Sequence, residues 1–233
     1  MAYFEEEICF ASNEDTVDII HVSDHSTPYV ISVLHYEGDQ YTHQGWLTDD
    51  KKFFLVDDEL DEYFGFSNNT LTLIFNVTDL EDPSFVKIHV ADTAAIDHNQ
   101  YVVGDYVYQA NYRAGLRILS LEKIEKGKLV EVGYFDTFPD SDSNDFNGAW
   151  SNYPFFDSGI VIISDIEQGL FVVKPDLEDV TLPDDDDDDD GDDGDDGDED
   201  EDEDDNEDNP ISQILRIINE LLQLILDLLT GGF

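Results

Sequence analysis

Short apolar runs alternate with polar turns along residues 1–183, and their residues do not follow the 3.6-residue period of a helix. Four segments share the order strand, polar turn and strand, and their second strands begin at Val17, Leu71, Leu116 and Leu170. The runs are rich in Val, Ile, Leu, Phe and Tyr, while Asn, Asp and Gly occupy the turns, as tight hairpins require. The pattern predicts four β-hairpins at spacings of 54, 45 and 54 residues.

Two further strands are predicted between successive hairpins. One closes each unit, in the runs YVISVLHYE, FVKIHVAD and LVEVGYFDT. The other opens the next unit, in the runs YTHQGWLTDD, AAIDHNQYV and FNGAWSNYPFF. Four antiparallel strands in roughly 45–54 residues match the size of a β-propeller blade. We therefore predict an all-β fold over residues 1–183, a β-propeller fragment with two complete and two partial blades. A plain β-sandwich is the alternative, but it does not account for the regular recurrence.

The predicted first blade lacks its opening strand, and the predicted fourth blade lacks its closing strand. Two complete and two partial blades make a poor closed ring, and open sheet edges pair readily with other strands. We expect either a dimer that completes the ring or a piece of a longer protein, and we favour the piece.

Several stretches of this body are distinctive, among them EICFASNEDTVDIIHVSD, YTHQGWLT, YQANYRAGLRI, FNGAWSNYP and SDIEQGLFVVKP. Together they resemble the choice-of-anchor B family, whose propellers are built from LVIVD repeats, over about residues 5–175. The resemblance implies an exported or surface-attached propeller whose C-terminal anchor varies between members. It implies no established enzymatic activity. We expect an extracellular or cell-surface location, although the segment MAYFEEEICFAS has neither the basic nor the apolar region of a signal peptide.

Acidity extends over the whole chain, whose formal net charge is −48. Residues 1–183 hold 35 acidic residues against nine Lys and Arg. Such a surface repels nucleic-acid phosphates, so we predict that nucleic acid is not a partner. The one cysteine, Cys9, excludes an intrachain disulfide and is expected to be a small core residue.

Polar residues recur where the predicted opening strands begin. In the aligned strands, His43-Gln44, His98-Asn99 and Asn147-Gly148 take equivalent places, and Trp46 aligns with Trp150. The innermost strand of each blade lines the central channel, so these groups are expected to converge there. Imidazoles and carboxamides can bind a metal, a ligand or water, or they can bond to the backbone at the channel mouth. The candidate ligand-binding residues are His43, Gln44, Asp97, His98, Asn99 and Asn147.

Catalytic motifs are missing from the sequence. A hydrolase needs a nucleophile, a base and an orienting group in one place, and neither Gly-x-Ser-x-Gly nor His-Glu-x-x-His occurs. Arg113 is expected to pair with a nearby acid or to cap a turn. We predict a non-enzymatic scaffold or binding module. The alternative is a hydrolase-like propeller enzyme, possibly dependent on a metal, that uses His43 and His98 in the channel.

Residues 184–209 hold 21 acidic residues and neither Lys nor Arg. Such a segment cannot bury apolar surface, so it is predicted to be a disordered, self-repelling linker. Its spacing does not match an EF-hand, because the twelfth position counted from Asp186 is Gly197. Loose association with Ca²⁺ is the only cofactor we expect, with candidate ligands Asp186, Asp188, Asp190, Asp192 and Asp195.

Residues 210–233 are predicted to form an amphipathic helix that starts at Pro210 and ends before Gly231. Apolar residues from Ile211 to Leu229 recur at alternating spacings of four and three. A helix this short and apolar needs a partner. We favour self-association, followed by docking on another protein. A membrane span is disfavoured, because Arg216, Glu220 and Asp227 interrupt the run.

Overall fold

A computed structural model describes residues 6–36, 38, 40–178 and 180–183. These residues form fourteen strands in four antiparallel sheets. The predicted acidic linker, its Asp186–Asp195 calcium ligands and the predicted C-terminal helix lie outside the described residues.

The strands pair in chain order within each sheet. The first sheet contains β1 (Ile8–Ser12), β2 (Val17–His21) and β3 (Tyr29–Leu34). The second contains β4 (Thr42–Leu47), β5 (Phe53–Asp58), β6 (Leu71–Asn76) and β7 (Ser84–Val90). The third contains β8 (Asn99–Val103), β9 (Tyr106–Ala110), β10 (Leu116–Ser120) and β11 (Val130–Phe135). The fourth contains β12 (Ala149–Tyr153), β13 (Val161–Asp165) and β14 (Gly169–Val173).

Two short helices interrupt this order. The helix α1 (Asp61–Phe64) lies between β5 and β6, and a 3₁₀ helix (Ile124–Lys126) lies between β10 and β11. No helix among the described residues has the length and hydropathy that crossing a bilayer requires.

The all-β prediction, with two complete and two partial blades, is confirmed. The two middle sheets have four strands, and the outer two have three. Within the described residues, the first sheet has no counterpart of β4 and the fourth has none of β11. One predicted strand is shorter than expected, because β8 begins at Asn99 and leaves Asp97 and His98 before it. In the segment before β8, the Ala95 carbonyl accepts a hydrogen bond from the Thr70 hydroxyl rather than from the backbone of a neighbouring strand.

Apolar clusters between successive sheets form the core, and β5 shows why. All six of its residues are buried. Phe54 and Val56 pack in a cluster with residues of the first sheet, while Phe53 and Leu55 pack in a cluster with residues of the third. Successive side chains of a strand point to opposite faces, so a sheet between two others must be apolar on both. A third cluster joins β9 and β10 to β12 and β13.

Close approach of β4 to β5 gives the first testable prediction. A methyl group at Gly45 would lie 2.6 Å from the Leu55 carbonyl oxygen and 2.5 Å from a ring carbon of Phe54. Because the backbone of β5 must move to admit it, we expect Gly45→Ala to lower the free energy of unfolding by about 1–3 kcal/mol. Urea unfolding of the full chain measures this change.

The matched control is Gly133→Ala on β11, where the nearest side-chain atom to the added methyl group, on Ile118, lies 4.0 Å away. We expect its free energy of unfolding to stay within about 0.5 kcal/mol of the wild type. Equal effects of the two substitutions would contradict a close contact at Gly45.

Candidate functional site

The first strands of the second, third and fourth sheets, β4, β8 and β12, are neighbours. A ladder of side chains connects their N-terminal ends. Nδ1 of His43 bonds to the His98 carbonyl oxygen at 2.8 Å, and Nδ1 of His98 bonds to the Trp150 carbonyl oxygen at 2.5 Å. The rings stack in the same order, with centroids 4.5 Å apart in both steps. Because a carbonyl oxygen only accepts, Nδ1 of His43 carries the proton. Nδ1 of His98 contacts both the Trp150 carbonyl oxygen and the Asn99 amide nitrogen, each at 2.5 Å.

A second pair of bonds joins β4 to β8 one position further along. The Gln44 amide nitrogen donates to the Gln100 carbonyl oxygen at 2.9 Å, and the Gln100 backbone N–H donates to the Gln44 amide oxygen at 2.8 Å. Asn99 adds a bond from its amide to the Trp150 carbonyl oxygen at 3.0 Å. The side chains of these predicted site residues therefore replace backbone pairing between strands of different sheets.

Asn147 does not lie at the position that its sequence alignment predicts. The ladder places Trp150 after His43 and His98, so the true register is shifted by three residues. Asn147 precedes β12, where it accepts a hydrogen bond from Arg113 at 2.7 Å and donates one to Glu167. The prediction that Arg113 pairs with an acid is confirmed, because its guanidinium lies 2.8 Å from Asp145.

The other nitrogen of each histidine faces Glu59. Nε2 of His43 lies 3.9 Å, and Nε2 of His98 3.7 Å, from a Glu59 carboxylate oxygen. The Tyr112 hydroxyl donates to the same carboxylate at 2.7 Å. The side chain of His43 is 26% exposed, and those of His98 and Glu59 are 4% and 13% exposed. Burial lowers the pKa of His98, against the smaller opposite effects of its Trp150 bond and of Glu59.

This cluster of His43, Glu59 and His98 has the donor set of a transition-metal site. One ligand atom from each residue lies within 4.8 Å of the others. Metal-binding histidines typically donate their second ring N–H to a carbonyl or carboxylate, as His43 does here. The sequence did not reveal Glu59, because it lies in the turn after β5, where an acidic residue usually faces solvent.

Asp97 is separate from this cluster, although it is adjacent to His98 in the chain. It is fully buried, at 0% exposure, and one of its carboxylate oxygens lies within 4.8 Å of a carboxylate oxygen of Asp61 and of one of Glu62. The predicted channel-lining group therefore divides. His43, Gln44, His98 and Asn99 lie on the ladder, whereas Asp97 and Asn147 lie elsewhere.

An aromatic residue lies three positions after each ladder residue. Trp46 follows His43, Tyr101 follows His98, and Tyr153 follows Trp150. Trp46 and Tyr101 meet edge to face at 5.0 Å, and Phe155 contacts all three rings at 5.3–5.8 Å. Phe156 contacts Tyr153 at 4.9 Å. We call these five residues the inner-strand aromatic surface. Tyr153, Phe155 and Phe156 are 45%, 38% and 44% exposed.

No protein-family model and no curated protein sequence matches the chain. A solved structure of a protein from Lactobacillus plantarum matches with a TM-score of 0.52 and 15% identity, over 72% of this chain and 52% of that one. The structure of Sqt1 from Saccharomyces cerevisiae matches with a TM-score of 0.50 and 8% identity, over 71% of this chain and 41% of that one. The chain thus spans about half the length of these proteins or less. At such identities, the likeness supports the fold alone, which is all-β and propeller-like.

Proposed function

We propose that this chain is a non-enzymatic, propeller-like binding module that acts outside the cell or at its surface. The ladder is the observation that supports this role. Nδ1 of His43 and Nδ1 of His98 each bond to the backbone of the next sheet, as do the side chains of Gln44 and Asn99. Polar groups that tie the sheets together stabilise a scaffold. The outward location rests on the resemblance to choice-of-anchor B proteins.

The inner-strand aromatic surface is the proposed binding face, and its partner is a protein that presents Lys or Arg side chains. Aromatic rings attract cations to their faces, and Tyr153, Phe155 and Phe156 are each more than a third exposed. The 35 acidic residues of the body, against nine basic ones, favour the approach of a cationic partner. Aromatic residues are also the side chains most often responsible for affinity at protein interfaces.

The proposed tether is the acidic linker, which would connect the body to a C-terminal helix that self-associates or docks on another protein. The apolar repeat from Ile211 to Leu229 supports this part of the proposal.

A second candidate function is a metal-dependent enzyme in the channel. The observation that favours it is the convergence of Nε2 of His43 and Nε2 of His98 on the Glu59 carboxylate, at 3.9 and 3.7 Å. A two-histidine, one-carboxylate set with remaining open positions is typical of metal sites that act on substrates.

Histidine replacement separates the two functions. For the binding module, we expect His43→Ala and His98→Ala each to lower the free energy of unfolding by about 1–3 kcal/mol, because a carbonyl of the neighbouring sheet loses a hydrogen bond from an imidazole. Urea unfolding measures this, and elemental analysis of the same samples measures transition metals. The control is His25→Ala, whose side chain is 81% exposed and pairs with Glu7 at the surface. Its effect should stay within about 0.5 kcal/mol.

One result would establish the enzyme instead of the module. The wild type would contain a stoichiometric transition metal and show a hydrolytic activity, and both would be lost in His43→Ala and His98→Ala but kept in His25→Ala.

Peptide binding tests the proposed face. We expect a synthetic arginine-rich peptide to change the tryptophan fluorescence of the full chain saturably. Tyr153→Ser and Phe156→Ser should each weaken this binding about two- to fivefold, because one cation–π contact is lost. The control is Phe66→Ser, which removes a ring of 66% exposure outside the aromatic surface. Equal affinities of all three variants would exclude the aromatic surface as the binding face.

Tail deletion tests the tether. We expect removal of residues 210–233 to convert an oligomer into a monomer, as measured by light scattering, because a short apolar helix needs a partner. An unchanged mass would exclude self-association through this segment.

A further inference from the structure

Three buried carboxyl groups meet from two segments that lie far apart along the chain. Asp61 and Glu62 form the first turn of α1, soon after β5, and Asp97 lies two residues before β8. One carboxylate oxygen from each residue lies within 4.8 Å of the others. Asp61, Glu62 and Asp97 are 3%, 1% and 0% exposed. We call these three residues the carboxylate cluster.

Each member of the carboxylate cluster has a buried oxygen without a hydrogen-bond partner. For Asp97 this holds for both oxygens, and for Asp61 and Glu62 it holds for Oδ2 and Oε2. The other oxygens of the latter two are held by the protein. Asp61 accepts from the Glu62 backbone N–H at 2.8 Å, and Glu62 accepts from the Leu71 N–H at 3.2 Å. The side chains are thus oriented, while one oxygen of each stays available.

Asp58, in the same segment, is a buried carboxylate whose two oxygens both have hydrogen-bond donors. It is 1% exposed, as deeply buried as Glu62. Its two oxygens accept hydrogen bonds from the Tyr36 hydroxyl at 2.7 Å, from the Gln40 N–H at 2.8 Å and from the Tyr41 N–H at 2.7 Å. Asp97, at 0% exposure, has no such donors among the described residues. Leaving a buried polar group unpaired is costly, so its unpaired oxygens call for a ligand.

The charges around the cluster are all of one sign. Burial, followed by the charges of Glu62, Asp57, Asp61 and Asp58, raises the pKa of Asp97 well above its usual value. Burial also raises the pKa of Glu62 to about 10 and that of Asp61 to about 6. In the part of the chain that the structure describes, no ion pair involves the three residues of the cluster. Arg113, Arg117 and Lys52 form their ion pairs with other acidic residues.

The donor chemistry selects among possible cations. Three oxygen atoms at most 4.8 Å apart can surround one ion at about 2.8 Å or less, which is close to the roughly 2.3–2.6 Å between Ca²⁺ and its ligands. Zn²⁺ prefers nitrogen and sulfur ligands, and Mg²⁺ demands near-ideal octahedral geometry at a shorter distance than Ca²⁺. Ca²⁺ accepts carboxylates in flexible geometry and needs no particular angle between them.

We propose that Asp61, Glu62 and Asp97 form a calcium site that joins the second sheet to the third. The ion would bridge α1, which follows β5, and the segment that precedes β8. This site is distinct from the loose association expected of the acidic linker, because it uses fixed, buried ligands. It goes beyond the proposed binding function and does not depend on it.

Calcium-dependent stability of the full chain tests the site. After dialysis against EDTA, CaCl₂ is added and thermal unfolding is followed by circular dichroism. We expect the Tm of the wild type to rise by about 5–10 °C at a Ca²⁺ concentration about 100 times the Kd. The control, Asp157→Asn, removes an exposed carboxylate of the body and should respond as the wild type does.

Two isosteric substitutions carry the decisive comparison. We expect Asp97→Asn and Glu62→Gln to lose the response to CaCl₂. In EDTA, both variants should unfold at or above the wild-type temperature, because a neutral amide replaces a carboxyl group whose ionisation burial opposes. This reversal of order between EDTA and CaCl₂ is specific to a cation site. Should one variant fail to fold, the other decides.

Three outcomes would overturn the proposal. The first is a wild-type Tm that CaCl₂ leaves unchanged. The second is an equal rise in wild type, Asp97→Asn and Glu62→Gln, which would assign the effect to the linker. The third is an equal rise with MgCl₂ at the same concentration, which would refute the assignment of calcium. None of these results bears on peptide binding by the aromatic surface, so the two proposals fail separately.

Discussion

Burial of apolar side chains between successive sheets is the constraint on which the rest of this structure depends. The single cysteine cannot form an intrachain disulfide, so the sheets must be joined by packing. All six residues of β5 are buried, with Phe53 and Leu55 on one side and Phe54 and Val56 on the other. Each such side chain stabilises the fold by about 1.5–3 kcal/mol. The ladder and the carboxylate cluster accordingly lie near strand ends and in the segments that connect strands, away from the apolar clusters.

Buried polar groups need hydrogen-bond partners, and the ladder and the carboxylate cluster differ in this respect. At the ladder, neutral imidazole and carboxamide groups bond to the backbone of the neighbouring sheet, as His43 and Gln44 do. The carboxylate cluster has no comparable solution, because its members accept hydrogen bonds and donate none when ionised. Asp58 shows that the fold can supply donors to a buried acid where a turn provides backbone N–H groups. The contrast with Asp97 identifies a ligand site more clearly than acidity alone does.

The sequence predicted the sheets well because alternation and turn residues are local signals, whereas the site depends on contacts that are not local. Adjacent residues of an extended chain point in opposite directions, so Asp97 and His98 enter different clusters although they look like one motif. β4 and β12 share a register irregularity, between Thr42 and Gln44 and between Ala149 and Ser151, which places His43 and Trp150 at equivalent positions. The sequence alignment matched His43 with Asn147 instead, because a register irregularity has no local sequence signal. Cys9, expected in the core, is exposed on β1. Glu59, Asp61 and Glu62 carry no signal of their own, because the residues that complete their clusters, His98 and Asp97, lie more than 30 residues away along the chain.

The histidine cluster and the carboxylate cluster both draw residues from the turn after β5 and from the segment before β8, so the geometry of one depends on that of the other. Glu59 of the histidine cluster lies two residues before Asp61, and His98 directly follows Asp97. A cation held by Asp61, Glu62 and Asp97 would fix the separation of these segments, and with it the distance from Nε2 of His98 to the Glu59 carboxylate. The ladder transmits that position to β12 through the bond from His98 to the Trp150 carbonyl oxygen. In the proposed calcium form, one ion between the second and third sheets therefore also holds His98 in the position from which it bonds to β12.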